Sequence, residues 1–186
     1  MIQSDTIHGI YGTEAAAPPK SQPMHLSMLP CDLKRHWGRC GITANFLATS
    51  TEIPSPAAAS IISTVINEIL ENSVKYSAID TKPIDVELSI RNNTVECEVK
   101  NWARLEDATI IDSYFKIIHD KDIEDLYFLQ LEKTATDSNN ASQIGLLGVM
   151  HDYPVTLGCR IQTTADPITP FQISVKAKIY LNEVTP

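Results

Sequence analysis

The feature that most constrains this chain is a change of period. Between residues 58 and 74, Ala58, Ile61, Ile62, Val65, Ile66, Ile69, Leu70 and Val74, with the small Ser73 among them, recur at helical spacing. They mark the apolar face of one long helix. Pro56 near its start is tolerated, because a first-turn N–H has no helical partner. Further on, Ile84, Val86, Leu88 and Ile90 alternate with polar residues, Asn92-Asn93 supplies a turn, and Val95, Cys97 and Val99 alternate again. That is the pattern of a β-hairpin. A helix and a hairpin with one apolar face each bury both by laying the helix on the sheet.

The flanks extend this plan. Leu33, Trp37, Cys40, Ala44 and Leu47 step by threes and fours, predicting a helix from Cys31 to about Ala48 with a break at Gly41. Two more helices are predicted over about Leu105–His119 and Ile123–Thr134, then a polar loop from Asp137 to Ser142 and a short helix around Ile144–Tyr153 that stops at Pro154. Strands near Val155–Thr164 and Phe171–Leu181 read as hairpin partners joined through Asp166–Pro170. Residues 1–23, with Ala15-Ala16-Ala17-Pro18-Pro19 and Pro23, read as an irregular leader, followed by an edge strand around Met24–Leu29. Residues 24–186 read as a single domain. The expected class is an α/β two-layer sandwich, a mixed and mainly antiparallel sheet covered on one face by helices.

At 186 residues, with 43% hydrophobic and 20% charged, the chain has enough core to fold without a metal or disulfide staple. Its net charge of -8 argues against a general grip on nucleic acid or an anionic membrane, which needs clustered Lys and Arg. A local phosphate site remains compatible with that charge, because backbone amides bind anions too. Cys31, Cys40, Cys97 and Cys159 lack zinc-ligand spacing and read as reduced structural thiols. With no signal pattern at the N-terminus and no apolar run of about 20 residues, the expected location is cytoplasmic.

The chemistry concentrates on the polar side of the long helix. Glu68 and Asn72 form an i,i+4 pair and Asn72 and Lys75 an i,i+3 pair, so a carboxylate, an amide oxygen and an ammonium lie together. Such groups can orient a hydroxyl or water, ligate Mg²⁺ and meet phosphate oxygens. By spacing alone, an ordinary solvated helix face is the default.

The identities within Asn67-Glu68-Ile69-Leu70-Glu71-Asn72-Ser73-Val74-Lys75-Tyr76 add to that reading. Glu68-x-x-x-Asn72-x-x-Lys75-Tyr76 resembles the N-box of the GHKL, or histidine-kinase-like ATPase, superfamily with its Bergerat fold. The likeness continues through 126–133 and 144–153 toward small stand-alone bacterial regulators related to the SiaB-type and anti-sigma-factor serine kinases. It implies ATP and Mg²⁺ as cofactors, Glu68 as catalytic base and Asn72 as Mg²⁺ ligand, with Lys75 near the phosphates. It also implies an ATP-dependent serine/threonine kinase whose partner is a small STAS-type anti-sigma antagonist, in a partner-switching pathway. A homodimer is compatible with it.

Two departures from that pattern bear on function. The adenine-binding D-x-G-x-G box is replaced by Asn101-Trp102-Ala103-Arg104-Leu105, where Asn101 keeps an acceptor oxygen but both glycines are gone. The phosphate-binding G-x-G-x-G box reads Ala141-Ser142-Gln143-Ile144-Gly145, keeping Gly145 alone, a residue more often found for packing or a turn. An alternative reading is therefore a non-catalytic partner-binding module on a degenerate GHKL fold. A third, a structural protein with a coincidental N-box, requires that no helix-lined cavity lie beside Asn72. Elsewhere, His36, His119 and His151 lack partners at motif spacing, and adjacency does not bring His151 and Asp152 together on a helix. The acids from 120 to 125 read as a solvated helix start, and Trp37 and Trp102 as core or interface.

Overall fold

In a computed structural model, residues 5–11, 22–51, 53, 55–91, 93–136 and 144–183 are described. In chain order they form β1 (Asp5–His8), β2 (Met24–Met28), α1 (Pro30–Arg35), α2 (Gly38–Thr49), α3 (Pro56–Lys75), β3 (Ile84–Arg91), β4 (Thr94–Ala103), α4 (Leu105–Asp120), α5 (Ile123–Thr136), α6 (Ile144–Asp152), β5 (Val155–Thr163) and β6 (Phe171–Tyr180). The strands make one six-stranded sheet in the order β1-β5-β6-β4-β3-β2. Every ladder between them is antiparallel, so the sheet expected as mixed is more uniform than its sequence suggested.

Alternation in each strand decides which side faces the helices. On β4, Val95, Cys97, Val99, Asn101 and Ala103 are all buried, while Glu96, Glu98, Lys100 and Trp102 between them are only half-buried. In register beside them, Ile173, Val175, Ala177 and Ile179 of β6 are buried too. Against this face α3 buries Ile62, Val65, Ile66, Ile69, Leu70 and Val74, forming one core with the sheet. Truncating a side chain such as Ile66 to Ala should cost about 2–5 kcal/mol. The helix begins as its sequence requires: the Ser55 hydroxyl accepts from the Ala58 N–H and Pro56 fills the first turn. In the β3–β4 turn, Asn93 takes φ 63°, a left-handed conformation that asparagine tolerates.

Two expectations change. Residues 5–8 were placed in an irregular leader, yet they pair with β5 as the outer strand β1, while most of the remaining leader lies outside the described residues. The helix break falls at His36-Trp37 rather than at Gly41. Gly41 stays within α2, beside α3, where an added Cβ would make ordinary contact with Asn67 Oδ1 at 3.7 Å. The polar loop 137–142 lies outside the described residues. The four cysteines are free, three of them buried. No helix among the described residues is long and apolar enough to cross a membrane.

Candidate functional site

The site grows from the C-terminal half of α3. Asn72 Nδ2 donates to the Glu68 carbonyl oxygen one turn back, at 2.7 Å. One of its two N–H groups is thereby engaged on the helix, which fixes the amide and leaves Oδ1 as its acceptor. Asn72, Ser73 and Tyr76 line one wall of a cavity of about 350 Å³. Beneath it lies the sheet, with Ile173 and Val175 of β6 and Asn101 of β4.

Asn101 is the polar exception in the apolar column of β4, only 2% exposed. Its Nδ2 donates to the Tyr76 carbonyl at 3.3 Å, which fixes the amide and turns its oxygen into the acceptor. Two asparagines far apart in sequence thus reach the same cavity, each with its NH₂ tied to the α3 backbone.

The other wall is α4. Its buried stripe of Ala108, Ile111, Phe115 and Ile118 holds the core, and Ile110, Ser113 and Ile117 extend the cavity wall outward. Ile110 and Ile117 remain 49% and 47% exposed, so they form the rim of an open mouth. Tyr114 closes the space toward α6, and burial pushes its phenol above the usual tyrosine range. Sequence reasoning did not assign α4 to the site. The available signal was an apolar arc wider than core packing requires, with Ile110 and Ile117 lying outside the core stripe.

Glu68 stands one turn before Asn72, toward α6. The first turn of α6 comes so close that a Cβ placed on Gly145 would overlap Glu68 Oε2 and crowd its carboxyl carbon. Gly145 is therefore a space requirement of Glu68, a sharper role than the turn or packing glycine its sequence suggested. Burial, and secondarily the neighbouring Glu71, holds the Glu68 carboxyl above the ordinary carboxylate range. Glu71 itself accepts from Asn67 Nδ2 at 2.9 Å.

Lys75 stands apart from the cavity lining. It is exposed at the end of α3, its ammonium 5.2 Å from the centre of the Tyr76 ring, and it does not line the cavity. No Lys or Arg is among the described lining residues, and no cluster of metal-ligating side chains occurs among the described residues. The arrangement offers a largely apolar cavity with amide acceptors on its wall and floor and a partly buried carboxylate beyond.

One lesser expectation is corrected. His151 Nδ1 and Asp152 Oδ1 do meet, at 2.7 Å, because α6 ends at Asp152, and His151 stacks on Tyr127 at 4.3 Å. His119 stacks against Phe115 and His8. The reading of the 120–125 acids as a helix start stands: Asp122 Oδ1 accepts from the Glu124 and Asp125 N–H groups.

No family model and no curated protein matches the chain. Among solved structures, a chain from the crystal structure of the SiaB-SiaC complex of Pseudomonas aeruginosa is similar, with a TM-score of 0.55 and 16% identity over 84% of this chain and 89% of that one. At that identity the likeness is one of fold, an antiparallel α/β arrangement shared along most of both chains.

Proposed function

We propose that the chain is a GHKL-type signalling regulator that binds ATP with Mg²⁺ and phosphorylates a serine or threonine of a small STAS-type partner in a partner-switching pathway. The observation that carries this reading is the convergence of Asn72 and Asn101 on one cavity, with Glu68 beyond Asn72 against Gly145. A helix-lined cavity beside Asn72 removes the main motive for a coincidental N-box. Its volume lies within the range of about 300–1,000 Å³ usual for ligand pockets. The similar chain belongs to a complex of two proteins, which favours a protein partner.

The residues suit an adenine nucleotide at its base end. Asn101 Oδ1, whose amide is held by the Nδ2 bond to Tyr76, would accept from the exocyclic amine of adenine. Tyr76, Ile173 and the α4 residues provide apolar faces for the ring. Asn72 Oδ1 would be the protein ligand of Mg²⁺, which supplies charge neutralisation for the transferring phosphoryl group when bound. Glu68 would orient the acceptor hydroxyl and take its proton, and its raised pKa makes it a better base than a free glutamate.

The reading predicts phosphate transfer to the partner that Glu68→Ala and Asn72→Ala abolish while the thermal melt stays cooperative. Transfer surviving both changes would sink it. The absence of Lys and Arg from the described lining favours a second reading, a non-catalytic module that holds its partner on the same fold. That reading predicts partner affinity independent of Mg-ATP.

A further inference from the structure

Residues 5–11 grip the sheet edge from both sides. β1 pairs along β5, and Asp5 accepts both Nε and Nη2 of Arg160 at 3.0 and 2.9 Å. On the helix-covered side, His8 Nε2 lies 2.8 Å from Asp112 Oδ1 of α4, and the His8 ring is parallel to that of His119, 6.5 Å away. The chain then turns at Gly9, with φ 69°, where a Cβ would lie 2.6 Å from both the His119 ring and the Leu157 carbonyl oxygen. On the opposite side, Ile10 crosses Gly158, where a Cβ would lie 2.8 Å from its side chain and its backbone nitrogen. Beyond it the Tyr11 hydroxyl donates to Glu98 Oε1 of β4 at 3.1 Å. Both glycines are required by this crossing, one by conformation and space and one by space alone.

What the strap holds is the cavity wall. Asp112 lies between Ile111 and Ser113, and both of these line the cavity, as do residues on either side of them along α4. We propose that residues 5–11 are a positioning strap for the ligand site: the His8–Asp112 contact holds α4 where it closes the cavity, so that seating or releasing the strap sets ligand affinity. His8 and Asp112 are positioning residues that touch no ligand. The regulatory part rests on the cavity being the nucleotide site, whereas the mechanical part stands on the contacts alone.

Hydrogen exchange read helix by helix tests the mechanical part, and calorimetry with Mg-ATP tests the regulatory part, in the full chain. Two variants serve: Asp112→Ala, which raises intrinsic helix propensity and so cannot loosen α4 by that route, and Gly9→Ala, which unseats the turn. The expected result is exchange of α4 amides about tenfold faster in both variants, with α3 unchanged, and affinity for Mg-ATP at least about fivefold weaker. Unchanged α4 exchange with lost protection in β1 would overturn the proposal. So would uniform acceleration in α3 and β4, the mark of general destabilisation, or faster α4 exchange with unaltered affinity. Should the wild type bind no Mg-ATP, the nucleotide reading fails, and α4 exchange alone decides whether the strap positions the wall.

Discussion

The two ends of the site are built differently. The base end is shaped by the sheet and α4, with one buried amide held in place by a backbone carbonyl. The reactive end depends on a single close approach, Gly145 to Glu68, and carries a carboxylate that burial makes less acidic. At the base end, the Asn101 amide is fixed by its bond to the Tyr76 carbonyl. The reactive end carries a partly buried acid, an arrangement that costs stability once the acid is ionised. Stability and function should therefore respond in opposite ways to substitution at the two ends.

Asn101→Asp should produce the largest effect on stability. The resembled superfamily carries Asp here, yet in this chain a carboxylate would face the Tyr76 carbonyl from a position that is 2% exposed. A loss of about 3 kcal/mol is expected, a fall in melting temperature of roughly 10 °C. A variant as stable as the wild type would show that the amide does not bridge β4 and α3. Asn101→Ala should cost less, about 1–3 kcal/mol for the orphaned carbonyl.

At the reactive end, Gly145→Ala should abolish nucleotide-dependent phosphate transfer, at least about a hundredfold, with little change in the melt, because the added methyl displaces a flexible carboxylate rather than backbone. Introduced into Glu68→Ala, the same change should stabilise slightly, since alanine outperforms glycine in a helix by about 1 kcal/mol. An equal effect of Gly145→Ala in both backgrounds would break the assignment of Gly145 to Glu68.

Glu68→Gln should stabilise. An acid whose pKa is raised by folding costs stability once ionised: the penalty is absent below its unfolded value, grows as pH rises toward the folded value and is complete above it. The variant should thus melt higher at pH 8, with the advantage vanishing as pH falls toward the ordinary glutamate range. A constant advantage across that range would point to packing instead. Lys75→Ala should change Mg-ATP affinity by less than about twofold, since the ammonium is exposed and outside the cavity lining. A loss of tenfold or more would return Lys75 to the site.

Much of the framework was legible because it rests on local period. The long stripe of α3 and the alternation of β3, β4, β5 and β6 each signal a face to bury, and the sheet follows from those faces. The strand β1 is too short for period to signal, and its place depends on Arg160 and Asp112, more than a hundred residues away. Within the site, Glu68 and Asn72 were legible from helical spacing, and the inward position of Asn101 was implicit in the alternation of β4. Lys75, the last residue of α3, lies exposed over Tyr76 and outside the cavity lining, which spacing alone does not show. The weight of Gly145 was hidden, because a glycine's value lies in what approaches it, and Glu68 approaches from another helix.

The central claim, that Asn72 and Asn101 face a magnesium–nucleotide site, is tested most directly by calorimetry of the wild type and Asn72→Ala with ATP in the presence and absence of Mg²⁺. Saturable binding that requires Mg²⁺ and is lost in Asn72→Ala is the predicted result. No binding by the wild type, or binding equally strong without Mg²⁺ and without the Asn72 amide, would contradict it.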